Sequence, residues 1–317
     1  MPHSTRLPKY RRDPDRFGRI EPTSRDMEIL RLVHERRFLT ADMIAALVPG
    51  SRRQIARRLQ GLFHHSFLAR LLPPMRVRLG HDDHPIGSPK VAYALDAQGA
   101  TALSAAFGVP LDALNWKPRN NQRMHWFLEH RLMISAFRAT LELSLKATTR
   151  SLSYRGWTDE ENLRDSVRVR YADGRIKEHR VAPDGYFAVQ DGSNHRNFFV
   201  EIDRSTEDHP RLLAKFQSLW WYLSDGSAYF EKYQNPTNRL VLVVTMTERR
   251  LEAMRRTLRR VDPKGRGLRQ FWFTTQSAYR LSSPGSLLDP IWRVGPTPRD
   301  HAEDPPRSLF QNTEALR

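Results

Sequence analysis

The chain has 317 residues, carries 52 Lys and Arg against 35 Asp and Glu for a formal net charge of +17, and contains no cysteine. The absence of cysteine excludes disulfide scaffolds, cysteine-bearing zinc sites, iron–sulfur clusters and cysteine nucleophiles, and no apolar run approaches the roughly 18 residues of a membrane span. The length suggests two domains, and the positive excess calls for a polyanionic partner, nucleic acid first. The N-terminus is polar and Arg-rich with no apolar signal segment, so a soluble cytoplasmic protein is expected.

Residues 1–22 combine prolines and basic side chains without periodicity and read as a disordered basic arm. The first 80 residues hold 17 Lys and Arg against 7 acids. A winged helix-turn-helix domain is expected over residues 23–113. Ser24 is placed to cap a helix running from Arg25 to Arg36, in which Ile29, Leu32 and Val33 form one apolar stripe. Thr40 caps a short helix, Ala41 to Leu47. After the Pro49-Gly50 turn, Ser51 caps a third helix reaching Phe63, with Ile55, Leu59, Leu62 and Phe63 as its buried face. The remaining positions include Arg52, Arg53, Gln54, Arg57 and Arg58, forked donors of the kind a recognition helix presents to base edges. Strands at Phe67–Leu72 and Val91–Leu95 then flank a basic, Gly/Pro-rich loop and make a wing, with Arg76, Arg78 and Lys90 along it. Asp96 to Phe107 closes the domain as a helix. A solvated basic face on a structural module is the competing reading; the scarcity of acids and the preceding turn favour double-stranded DNA as partner. His64-His65 and the His81–His84 segment lack helical ligand spacing and a third partner, so neither reads as a metal site.

Residues 114–123 read as a linker, and residues 124–294 as an α/β domain with a mixed sheet, followed by a disordered tail over 295–317. A long helix spans Met124 to Lys146, with Glu129 near its start. Short β-like stretches follow at Ser151–Trp157 and Val167–Tyr171. The turn cluster Asp191-Gly192-Ser193-Asn194 makes its flanks a hairpin. A turn centred between Gly192 and Ser193 sets Phe187 opposite Phe198 and Asp184 opposite Glu201, with Phe187, Val189, Phe198, Val200 and Ile202 on one face and Asp184, Glu201 and Asp203 on the other. Like charges directly opposed are destabilising. A divalent cation, Mg²⁺ or Mn²⁺, would account for them; pairing with Arg180, Arg196 or Arg204 would account for them equally well. Lys215, on the flank of a helix from Pro210 to Leu223, either points back toward these acids or lies along the buried seam. A strand at Arg239–Met246, a helix capped by Thr247 and reaching Val261, and a strand at Arg269–Thr275 complete the domain.

The second domain resembles the PD-(D/E)xK nuclease fold: Pro183-Asp184 stands for its PD and Glu201-Ile202-Asp203 for its (D/E)xK, with Asp203 in place of the motif lysine. The resemblance implies metal-dependent phosphodiester cleavage, with Asp184, Glu201 and Asp203 holding the metal, Lys215 as a migrated lysine and Glu129 as the first-helix acid. The missing lysine equally admits an inactive site used for dimerisation or DNA contact. The chain as a whole is similar to the replication-relaxation family of plasmids and integrative elements, through "RFLTADMIAAL", "YALDAQGATAL", "LEHRLMISAF", "PDGYF" and "FFVEIDRSTE" in that order. That likeness implies an accessory DNA-binding protein of a mobile element, working with other replication or transfer proteins. A non-enzymatic regulator or origin binder, as a homodimer, is the other expectation.

Overall fold

The computed structural model describes residues 10–72, 91–118, 121, 127–171, 173–192, 194–205, 208–224, 227–233, 239–262, 266, 268–296 and 304–310. The chain divides into two compact units, Met1–Ala139 and Thr140–Arg317. The division falls inside a helix and not at the expected linker. Trp116 Nε1 and Asn121 Nδ2 both donate to the Leu95 carbonyl, at 3.2 and 2.9 Å, which ties that segment to the strand before it.

The first unit contains α1 (Ser24–Arg36), β1 (Leu39–Thr40), α2 (Ala41–Leu47), α3 (Arg52–His64), β2 (Leu68–Leu71), β3 (Ala92–Leu95), α4 (Ala97–Phe107) and the first part of α5 (Leu128–Ala147). The strands form an antiparallel sheet in the order β1-β3-β2. Thr23, not Ser24, caps α1: its hydroxyl accepts from the Asp26 N–H, and the Asp26 carboxylate accepts from the Thr23 N–H at 2.8 Å. The reciprocal pair satisfies two otherwise unpartnered amides, which Ser24 cannot do from its position. The apolar stripes of α1 and α3 are buried as their spacing predicts, Ile29, Val33, Ile55 and Leu59 completely.

Residues 10–22, read from sequence as disordered, are docked on this unit; residues 1–9 lie outside the described residues. Phe17 stacks on the His64 ring with centroids 3.9 Å apart. The Asp13 N–H donates to His64 Nδ1 at 2.9 Å, and Arg12 pairs with Asp96. A single aromatic and two polar anchors supply what the absence of periodicity concealed.

α3 is pinned to α1 by Arg58, whose Nε donates to Asp26 Oδ1 at 2.9 Å while its terminal nitrogen pairs with Oδ2. Asp26 is fully buried. Burial pushes its carboxyl up, but the bonds from Arg58 and Thr23 outweigh this and hold it below the ordinary carboxylate value.

In the second unit the later part of α5 is followed by β4 (Leu152–Asp159), α6 (Glu160–Leu163), β5 (Asp165–Arg170), β6 (Ile176–Val181), β7 (Gly185–Asp191), β8 (Asn194–Ile202), α7 (His209–Ser224), α8 (Ser227–Tyr233), β9 (Arg239–Thr245), α9 (Glu248–Leu258), β10 (Phe271–Thr275) and β11 (Arg293–Val294). Six strands make a mixed sheet in the order β11-β10-β9-β8-β7-β4. β8–β9 and β9–β10 are parallel and the other pairs antiparallel. The α/β class with a mixed sheet is therefore as the sequence indicates. β5 and β6 are not part of it: they form a separate antiparallel ribbon packed on α7.

The expected division into one apolar and one acidic face holds only at the strand ends. Phe199, Val241, Val243, Phe271 and Phe273 are buried against Leu212 and Phe216 of α7 and Leu251 and Met254 of α9, while Phe187 and Phe198 stack at 4.6 Å on the opposite face. Part of the expected disordered tail is also structured. Arg307 bridges Trp292, and Leu309 and Phe310 are buried, Phe310 edge-on to Phe198 at 5.9 Å. Residues 297–303 and 311–317 lie outside the described residues. Among the described residues no helix is long and apolar enough to cross a membrane.

Removing Arg58 would leave the Asp26 charge buried without its partner. Arg58→Ala should cost about 3 kcal/mol in urea unfolding, and the wild-type advantage should persist above the ordinary carboxylate pKa and vanish as pH falls through the depressed Asp26 value. An unchanged unfolding midpoint at pH 7 would show that the pair does not hold α1 to α3.

Candidate functional site

Along α3, the capping box formed by Ser51 and Gln54 fixes the helix start: the Gln54 N–H donates to Ser51 Oγ at 3.2 Å and Gln54 Oε1 accepts from the Ser51 N–H at 3.0 Å. Gln54 therefore uses its amide oxygen on its own helix. Arg52 pairs with Asp42 of α2. Arg58, grouped with the DNA-facing residues from sequence, is committed to Asp26 instead, because its place on the helix turns it toward α1. Arg53 and Arg57 are exposed, four residues apart on one outward stripe. The wing residues Arg76, Arg78 and Lys90, and the His81–His84 segment, lie outside the described residues.

The carboxylates lie in the second unit at the end of the β7–β8 pair. Gly185 pairs with Val200 and Phe187 with Phe198, as the turn position predicts. One residue before β7, the Asp184 N–H donates to the Val200 carbonyl at 3.0 Å, and its Oδ2 accepts from the Ile202 N–H at 2.8 Å. Asp184, Glu201 and Asp203 are all buried. Lys215 on α7 reaches back, its Nζ pairing with Glu201 Oε2, while its side chain keeps about a third of its surface in solvent. Asp184, Glu201 and Lys215 thus occupy one sheet end, with the lysine supplied by the helix that follows the hairpin.

Asp203 has different partners. Its N–H donates to the Val244 carbonyl at 2.8 Å, its Oδ2 accepts from Thr245 Oγ1 at 2.8 Å, and Arg250 grips both oxygens, Nε to Oδ2 at 2.9 Å and a terminal nitrogen to Oδ1 at 3.0 Å. This fork-to-carboxylate pair is among the stronger polar contacts available to a protein. Asp203, expected beside the other two as a metal ligand, has both carboxylate oxygens engaged by Arg250. Among the described residues no group of three or more His, Asp or Glu side chains is arranged to hold a metal ion. Asp184 and Glu201 alone offer oxygen donors of the kind Mg²⁺ takes, since that ion is commonly held by one or two carboxylates with waters and phosphate completing its shell. The expected arginine partners also differ: Arg180 stands 3.7 Å from Glu160, and Arg196 donates to the Leu309 carbonyl. Glu129 lies in the first turn of α5, in the first unit.

Arg250 and Thr245 escaped the sequence reading. The parallel pairing of Ile202 with Val244 puts Thr245 and the following helix start beside Asp203, a relation that appears only once β9 is placed next to β8. Gly185 also matters here. A Cβ at that position would stand 1.9 Å from the Trp157 ring, so the indole fits over the strand beside Asp184 only because the residue is glycine. Gly185→Ala should destabilise the fold by about 1–3 kcal/mol through overpacking, with a red shift in tryptophan emission; native stability and emission would refute that account.

The replication-relaxation family model matches residues 30–235, about two thirds of the chain, from α1 through the end of α8. Comparisons with curated proteins and with solved structures find no match. The matched span includes α3 with Arg53 and Arg57 and the sheet end with Asp184, Glu201 and Lys215, so the chain belongs to the replication-relaxation family.

Proposed function

We propose that this protein binds double-stranded DNA in the replication or relaxation of a mobile genetic element. The first unit docks as a winged helix-turn-helix with α3 as its recognition helix. The observation that carries this reading is the exposed pair Arg53 and Arg57, which meets no carboxylate among the described residues while its neighbours Arg52 and Arg58 are both held by acids. Each of the two would add a forked donor suited to guanine O6 and N7.

The second unit acts on the same DNA as a nuclease-like domain. Asp184 and Glu201 would hold Mg²⁺ or Mn²⁺, which when bound lowers the pKa of a coordinated water and polarises a phosphate. Within the chain, the Ile202 N–H fixes the Asp184 carboxylate and the Lys215 ammonium faces Glu201. From there the ammonium can compensate negative charge growing on a phosphate oxygen.

A second reading, a non-enzymatic regulator or origin binder, draws on Arg250: where the nuclease pattern has a lysine, this chain has an acid bound as a structural ion pair.

Binding and cleavage separate the readings. Arg53→Ala and Arg57→Ala should each weaken binding to a preferred duplex by about 1–3 kcal/mol, measured by fluorescence anisotropy against a scrambled sequence; equal loss on both duplexes would make them phosphate contacts. Supercoiled plasmid carrying the element's own origin should be nicked with Mg²⁺ by the wild type and left intact by Asp184→Ala. Absence of nicking by the wild type, with binding retained in Asp184→Ala, would leave the regulator reading.

A further inference from the structure

We propose that the outward stripe of α9 is a second DNA-contact surface, which takes the phosphate backbone of a duplex next to the Asp184–Glu201–Lys215 sheet end. The inference rests on the DNA-binding reading above and assigns part of that binding to an element outside the recognition helix.

Arginine occurs in doublets along α9 and its C-terminal turn: Arg249-Arg250, Arg255-Arg256 and Arg259-Arg260. One member of each of the first two doublets is used within the fold. Arg250 grips Asp203, and Arg255 pairs with Glu252 and donates to the Val294 carbonyl. The other members, Arg249 and Arg256, are exposed, as are both arginines of the third doublet. Arg249 and Arg256, seven residues apart, share one stripe of α9, and Arg260 continues its direction from the turn that follows the helix. The residue between them on that stripe is Ala253. The helix acids are taken up by another partner: Glu248 and Glu252, the latter flanking the stripe, both pair with Arg293. The result is a row of three guanidinium groups whose one flanking acid, Glu252, is engaged by Arg255 and Arg293, and Arg256, Arg259 and Arg260 meet no carboxylate partner among the described residues.

Placement gives the stripe its meaning. Arg250 is bound to Asp203, so Arg249 stands where α9 leaves the carboxylate end of the sheet. The stripe then extends about 16 Å away from it, at about 1.5 Å per residue. That length matches about five phosphates on one strand, which are about 3.4 Å apart along the duplex axis. Leu251, Met254 and Leu258 are buried under the stripe and keep the helix fixed on the sheet. An ordered row of arginines, in place of flexible lysines, suits bidentate contact to phosphate.

The test compares two triple variants of the full chain on a duplex carrying the preferred sequence and on a scrambled one. Arg249→Gln/Arg256→Gln/Arg260→Gln removes the stripe. Arg168→Gln/Arg170→Gln/Lys177→Gln removes the same charge from the exposed β5–β6 ribbon. Loss of three phosphate contacts should lower the slope of log K against log salt by about 2.7. The loss should be equal on both duplexes and clearly smaller in the ribbon variant. An unchanged slope in the α9 variant overturns the proposal, and so does an equal drop in the two variants, which would mark a net-charge effect. Loss of binding to single-stranded RNA or to an acidic polypeptide, with duplex binding intact, overturns it as well. A wild type that binds no duplex at all refutes the DNA reading itself, an outcome recognisable before either variant is made.

Discussion

The second unit is organised around the pairing of β7 with β8. The register places Gly185 against Val200, and this leaves Asp184 one step beyond the ladder, where its carboxylate accepts the Ile202 N–H and its own N–H reaches the Val200 carbonyl. A side chain period of two then fixes which residues face α7. Glu201 faces Lys215, Phe199 enters the apolar core, and Phe187 and Phe198 stack on the far side. A slip of one residue in β8 would turn Glu201 toward the face of the Phe187–Phe198 stack and Phe198 toward α7. The apolar contacts and the placement of the carboxylates therefore depend on the same turn, for which Gly192 supplies a positive φ of 61°.

The first unit meets a similar demand with a charge. Placing α3 with two arginines outward requires that its other polar side chains be satisfied inside the unit. Asp26 accepts Arg58, Asp42 accepts Arg52, and Gln54 closes its own cap. A helix as basic as α3 would otherwise gain little by folding its arginines against neighbours that carry the same sign. Two acids on α1 and α2 sort the five polar residues into those held and those presented.

Local pattern made much of this readable. The stripes of α1 and α3, the caps of α2, α3 and α9, and the hairpin register follow from spacings of a few residues and from turn chemistry. Lys215 was placed beside the buried seam by helical periodicity alone. Features that rest on distant partners were not readable. The arm carries no periodicity because Phe17 works alone, stacked on a histidine 47 positions away. The tail conceals Leu309 and Phe310 among prolines and charges, although both complete the packing beside Phe198. The β5–β6 ribbon has strand-like alternation, but nothing in that alternation says that it leaves the main sheet. Asp203 is the sharpest case, because its acidity invited a metal while its partner lay on another helix.

That ion pair makes positions 203 and 250, which are 47 residues apart, a single structural unit. A lysine placed at 203 would confront the Arg250 guanidinium in a mostly buried setting and would expel one of the two cations, along with the start of α9. An arginine lost from 250 would strand a carboxylate already bound to Thr245. Neither change is tolerated well alone, so the two positions are coupled and their substitutions are non-additive. The Asp203–Arg250 pair is thus locked in by packing, and the lysine that reaches the neighbouring Glu201 comes from α7.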